Sequence, residues 1–173
     1  MYTTLYKCDY YVRSICPPSL PKETANEFGK LYVYYNDRIC PLQTLAKEFT
    51  TKLYGKSNYK GLTPEQVLTG WLFFYEQWKQ EPIILIKDKE VQKLLGAKGK
   101  YVRLADFAGS TGYKLEQISP SDMNAKTTRT IEEANEKFSL ASMLCTGNLL
   151  KIYPYFDKNN AQPIWYSLTD DLP

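Results

Sequence analysis

Three stretches of this chain repeat apolar residues at helical spacing, each closed by proline or glycine, so the sequence is committed to packing amphipathic helices around a shared core. Leu42, Leu45, Ala46, Phe49 and Leu53 lie on one face of a helix that Pro41 opens at its first position and Gly55 stops. In the second, Thr63-Pro64-Glu65-Gln66 supplies a capping hydroxyl, a first-turn proline and a glutamine three residues after the cap. Val67, Trp71, Phe74, Tyr75 and Trp78 then share one face until Pro82. The third, Asp122 to Thr146, is the longest. Ile131, Ala134, Phe138, Ala141 and Cys145 form its stripe, Leu144 broadens it, and Gly147-Asn148 closes it.

Shorter segments fill the intervals. Leu31 to Tyr35 alternates, Asn36-Asp37 has turn chemistry and Arg38 to Cys40 returns, which predicts a hairpin. Pro82 to Lys87 reads as a strand, Lys89 to Leu95 as a helix ended by Gly96, Leu104 to Ala108 as a short helix, Tyr113 to Ile118 as extended chain and Leu149 to Tyr153 as a terminal strand. Residues 1–27 read as an irregular Tyr- and Pro-rich leader, because Cys16-Pro17-Pro18-Ser19-Leu20-Pro21 removes backbone donors and fixes φ. From Gln162 onward the chain is polar with Trp165 as its one large anchor. The expected architecture is a single α+β domain over residues 28–173, mostly helical, with three longer helices and a few short strands.

Composition bears on chemistry more than on fold. The 173 residues contain no histidine, which removes His-dependent triads and facial metal sites and leaves acid–base work to carboxylates, Lys, Tyr or Cys. The formal charge is only +3. The one basic run, Lys87 to Arg103, has no aromatic platform among its bases, so no nucleic-acid partner is expected. No apolar stretch approaches the ~18–20 residues of a membrane span, and Met1 to Ser14 lacks a signal-like apolar region. The four cysteines form no C-x-x-C or zinc-ligand spacing; a Cys8–Cys16 bridge and free thiols both remain open.

Most eye-catching groups have an ordinary reading. The Trp71/Phe74/Tyr75/Trp78 stripe is expected to be core rather than a ligand-stacking wall. Glu132, Glu133 and Glu136 are expected to be a helix face, solvated or countered by Arg129 and Lys137, rather than a catalytic pair. Gly96 and Gly99 match no phosphate-binding fingerprint. The most individual chemistry is the hairpin-to-helix junction, where Tyr34, Tyr35, Asn36, Asp37 and Arg38 place a cation and a tight turn near a helix N-terminus that favours anions. The competing reading is that Arg38 pairs with a nearby acid. Trp165, Asp170 and Asp171 complete the candidate partner-binding or anion-binding residues, with no catalytic residue and no metal ligand assigned.

The stretch Phe28 to Lys47, with Asp37-Arg38-Ile39-Cys40-Pro41-Leu42-Gln43-Thr44-Leu45-Ala46 at its centre, resembles the G-R-[IV]-x-P-[LF]-x-T-x-A signature of System II cytochrome c biogenesis proteins. These are the fused ResB/CcsA-like haem-delivery and cytochrome c synthase family. Leu62 to Trp78, Glu81 to Gly96, Leu140 to Tyr153 and Trp165 to Leu172 are similar, in the same order, to its Bacteroidetes-type members. The signature's glycine is Asp37 here. The resemblance implies a soluble periplasmic loop domain excised from a polytopic inner-membrane protein, non-catalytic by itself, with haem handled by the parent and no cofactor of its own. The implied partners are apocytochrome c and the parent's transmembrane domains, with haem a further candidate. The alternative is an independent soluble enzyme or ligand-binding protein using Tyr, Lys or carboxylate chemistry.

Overall fold

Backbone partners set where the elements begin and end. The computed structural model describes residues 16–110, 112–116, 124–157 and 162–171. The first element, α1 (Lys22–Gly29), begins inside the stretch expected to be an irregular leader. Pro21 precedes it in extended conformation and accepts the amide of Ala25, so the prolines end the irregular chain and start a helix. Strand β1 (Tyr32–Tyr35) pairs antiparallel with β2 (Arg38–Pro41), Tyr35 opposite Arg38. The two residues between them, Asn36 at φ 51° and Asp37 at φ 57°, form the left-handed turn that suits the twist of a two-residue hairpin.

Pro41 is extended (φ −61°, ψ 146°) and stands one position before the helix, as the last strand residue, rather than inside its first turn. Helix α2 (Leu42–Tyr54) follows, its first amide donating to Leu31 O at 2.7 Å and its end closed by Gly55 at φ 84°. Helix α3 (Pro64–Phe73) carries the expected capping box: Gln66 N–H donates to Thr63 Oγ1, and Thr63 N–H to Gln66 Oε1. Gln66 Nε2 also donates to Leu20 O, which ties the segment before α1 to the start of α3.

The expected continuous helix to Trp78 is broken at Phe74 (φ −130°, ψ 41°), and α4 (Tyr75–Trp78) restarts beyond it. Packing explains the break. On an unbroken helix Trp78 would rise about 12 Å above Gly70. Instead its indole lies against Gly70, where an added Cβ would stand 2.3 Å from the ring. Trp71 and Trp78 are fully buried with centroids 5.9 Å apart, and Trp78 Nε1 donates to Pro18 O at 2.6 Å. Tyr75, expected on the buried face, is 38% exposed beneath the Lys79 ammonium.

Beyond α4, β3 (Ile84–Leu85) pairs with β4 (Tyr101–Val102) around α5 (Lys89–Leu95), which Asp88 caps and Gly96 ends. A 3-10 turn (Leu104–Phe107) leads to β5 (Ala108–Gly109) and β6 (Gly112–Tyr113); residues 114–116 turn rather than extend. Helix α6 (Ala125–Cys145), capped by Asn124, buries Ala134, Ala141 and Leu144 completely, while Ile131, Phe138 and Cys145 are half-buried. The terminal strand expected over Leu149 to Tyr153 starts later. Leu149 and Leu150 enter the core, and β7 (Tyr153–Tyr155) pairs with β8 (Ile164–Tyr166), in the segment expected to be a polar tail. The result is one α+β domain with its three longest helices where the apolar spacing placed them.

Gly70→Ala pushes a methyl into the Trp78 indole and is expected to cost about 1–3 kcal/mol, read as a lower urea midpoint with shifted tryptophan emission. Burial raises the Cys145 thiol from 9.0 to about 12, and burial followed by the Glu116 charge raises the Tyr113 hydroxyl from 10.0 to about 12. Both groups are therefore neutral longer in the folded than in the unfolded chain. Stability is expected to hold below about pH 9 and to fall as pH climbs from 9 to 12, and Cys145→Ala with Tyr113→Phe should flatten that slope in pH-dependent urea unfolding.

Candidate functional site

The hairpin turn is welded to α2 by one carboxylate. Arg38 Nη2 meets Glu48 Oε1 at 3.2 Å, and Asn36 Nδ2 donates to Glu48 Oε2 at the same distance. Arg38 therefore reaches an acid within α2. Tyr35 turns inward beside the same acid, and burial first, then the Glu48 charge, pushes its hydroxyl upward in pKa. Three of the candidate residues thus converge on Glu48, which the sequence did not single out.

Tyr34 faces the other way. Its ring stacks on Trp165 with centroids 5.8 Å apart and planes 11° from parallel. Its amide donates to Lys151 O at 2.9 Å, joining the first hairpin to the approach of the last. The structure thereby brings together two candidate residues separated by most of the chain. Asp170 accepts the Ser167 amide at 2.6 Å, and that backbone bond lowers its pKa. It closes the turn after β8, while Asp171 is exposed. The Cys8 end of the contemplated Cys8–Cys16 pair lies outside the described residues, as do Tyr2, Tyr6, Tyr10 and Tyr11.

Glu48 and Tyr35 also belong to a larger feature. An open cavity of about 970 Å³ runs between α2, the start of α3 and α6, with Tyr35, Pro64 and Leu140 as its apolar lining. A second, of about 490 Å³, continues it toward Leu85 and the first half of α6. Thr51, Lys52 and Glu136 belong to both. Lys52 Nζ and Glu136 Oε2, 2.6 Å apart, bridge α2 and α6 there. Of the two cations expected to counter the α6 acids, Arg129 does so, pairing with Glu133 at 3.7 Å, while Glu136 pairs across the helices with Lys52 rather than with Lys137. A separate apolar cleft of about 420 Å³ lies near the C-terminal end of α6, rimmed by Leu31, Phe73 and Leu168, each about half exposed. Among the described residues no group of three His, Cys, Asp or Glu could hold a metal ion, and no helix is long and apolar enough to cross a membrane.

In an alignment 142 residues long that covers 77% of the chain, it is 30% identical to Protein NrfI of Wolinella succinogenes. The aligned stretch makes up 16% of that protein, so the chain spans a small part of a much longer relative. No protein-family model matches.

Sequence reading found the hairpin and α2 but not the trough between α2 and α6. A signal was present in the polar spacing Gln43, Thr44, Lys47, Glu48, Thr51 and Lys52, which marks one continuous helix face. What that face looks onto depends on where α6 docks. Asp37, which stands where the signature it resembles has glycine, has φ 57°, a conformation that glycine adopts freely. Asp37→Gly is expected to stabilise the hairpin by about 0.5 kcal/mol and Asp37→Val to destabilise it by more than about 1 kcal/mol, as measured by scanning calorimetry.

Proposed function

We propose that this chain is the extracytoplasmic domain of a cytochrome c biogenesis protein, a non-catalytic module that docks apocytochrome c and braces the haem-handling membrane domains of its parent. The match to Protein NrfI over 142 residues carries the reading. It supports a link to cytochrome c biogenesis, in the same direction as the System II signature resemblance through the β1–β2 hairpin and α2. The small share of NrfI that is aligned, 16%, fits a domain of a larger assembly.

The surface supports contact rather than chemistry. Arg38 and Asn36 are engaged by Glu48, and Asp170 holds a turn, so these polar candidates organise the hairpin and the C-terminal segment. What they leave presented is an open trough of mixed polar and apolar lining on one side and an apolar cleft rimmed by Leu31, Phe73 and Leu168 on another. In this reading the trough meets the unfolded polypeptide and the apolar rim meets the rest of the parent. Haem is bound by the parent, and the domain works on the periplasmic side of the inner membrane.

Replacing this domain by a short linker in the full-length parent is expected to abolish covalent cytochrome c, seen by haem staining, while the parent still inserts and accumulates. Normal cytochrome c levels in that strain would overturn the proposal. A saturable Soret shift when haem is titrated into the purified domain would overturn the part that assigns haem to the parent alone.

A further inference from the structure

The two cavities along α2 have a length, a lining and a charge arrangement that suit one class of ligand. Six residues of α2, Gln43, Thr44, Lys47, Glu48, Thr51 and Lys52, form the first wall, spaced so that all face outward from the core side of the helix. On α6, Arg129, Glu132, Glu133, Glu136, Lys137 and Leu140 form the second wall with the same periodicity. Gln43 to Leu140 at one end and Gly55 to Arg129 at the other make the two helices antiparallel walls of one trough. Its length is that of α2, roughly 18 Å, room for about five or six residues of extended chain at ~3.3 Å each.

Both walls set side-chain amides, hydroxyls and charges among apolar surface. An extended polypeptide has the complementary needs. Its N–H and C=O groups require donors and acceptors of the kind that Gln43, Thr44 and Thr51 present, and its side chains can rest on Tyr35, Pro64 and Leu140.

Charge distinguishes the two lobes. In the larger lobe Arg38 engages Glu48, leaving Lys47 and Glu65 as charges of opposite sign. In the smaller lobe Arg129 pairs with Glu133 and Lys52 with Glu136. Glu132, Lys87 and Lys137 complete that lobe, and neither lysine forms an ion pair among the described residues. Lys137 donates to the carbonyl of Leu85 at 2.6 Å, a neutral acceptor that satisfies one of its three donors. Its half-buried ammonium is held at a lowered pKa, first by desolvation, which the Glu133 and Glu136 charges oppose and the Lys52 and Lys87 charges reinforce. A carboxylate arriving between Lys87 and Lys137 would relieve that repulsion.

We propose that the trough between α2 and α6 binds an extended segment of unfolded polypeptide, with a carboxylate side chain seated between Lys87 and Lys137 and the flanking backbone lying along α2 over Thr51. This rests on the docking reading above and assigns it a surface and a ligand chemistry.

Binding of fluorescently labelled, haem-free apocytochrome c to the purified domain tests it. Three domain variants are compared with the wild type: Thr51→Trp, which fills the waist from an exposed position; Lys87→Glu, which reverses an exposed charge; and Lys98→Glu as a control outside the trough. Thr51→Trp and Lys87→Glu are each expected to weaken binding about tenfold or more, with Lys98→Glu unchanged. Apocytochrome with amidated carboxylates should bind the wild type about tenfold more weakly and no longer distinguish Lys87→Glu. Thermal melts matching the wild type exclude misfolding as the cause. Apocytochrome that binds the wild type and all three variants alike would overturn the trough and leave docking in place. Failure to bind the wild type would overturn docking and the trough together.

Discussion

The indole of Trp78 lying on Gly70 is the contact around which the domain is arranged. It requires the helix to break at Phe74, so that a ring eight residues away can return to the helix that preceded it. It also presents the indole N–H to Pro18 O, which fixes the chain before α1. From there the aromatic contacts spread: Trp71 against Phe49 of α2, Tyr59 against Trp78, and Tyr54 between Tyr59 and Tyr101. Rings of this size contribute a large share of buried apolar area and prefer offset and edge-on geometries like those found here. The arrangement leaves one donor unmet among the described residues, Trp71 Nε1, a loss of about 1–3 kcal/mol that the ring's complete burial offsets.

With one face of α2 held against this aromatic core, its other face is free to serve as a wall. Leu42, Leu45, Ala46, Phe49 and Leu53 point into the core, and the intervening residues line the trough. The Lys52–Glu136 pair sits at its waist. Both partners are about half exposed, so the pair contributes little to stability. It spans the trough from α2 to α6 with a lobe open on either side. The hairpin completes one end, because Glu48 takes both Arg38 and Asn36 and so brings Tyr35 to the lining.

Local chemistry made much of the fold legible. The capping box at Thr63, the left-handed Gly55 and Gly96, and the Asn36-Asp37 turn all act within a few residues of themselves, where sequence spacing and geometry coincide. Reading failed where a distant partner decided the outcome. Pro21 starts a helix because α1 packs onto α3, with Gly29 leaving room for Glu65. The segment after Gln162 becomes a strand because β7 offers it a ladder, and Trp165 finds Tyr34. The Arg38 junction was visible as an unusual cluster of groups, but not the identity of its partner. Glu48 lies on the polar side of a helix, where a carboxylate is unremarkable until a hairpin is placed against it.

The sequence by itself determined the helix phases, the caps, the hairpin turn, the absence of imidazole chemistry and the resemblance to a cytochrome c biogenesis family. These follow from residue identity and from neighbours a few positions apart. Only the tertiary structure decided that α2 and α6 run antiparallel as two walls, that Lys87 and Lys137 share a lobe, and that Arg38 is taken up by Glu48. Each is a relation between residues far apart in the chain. Packing of the aromatic core, rather than local preference, sets the distance between them.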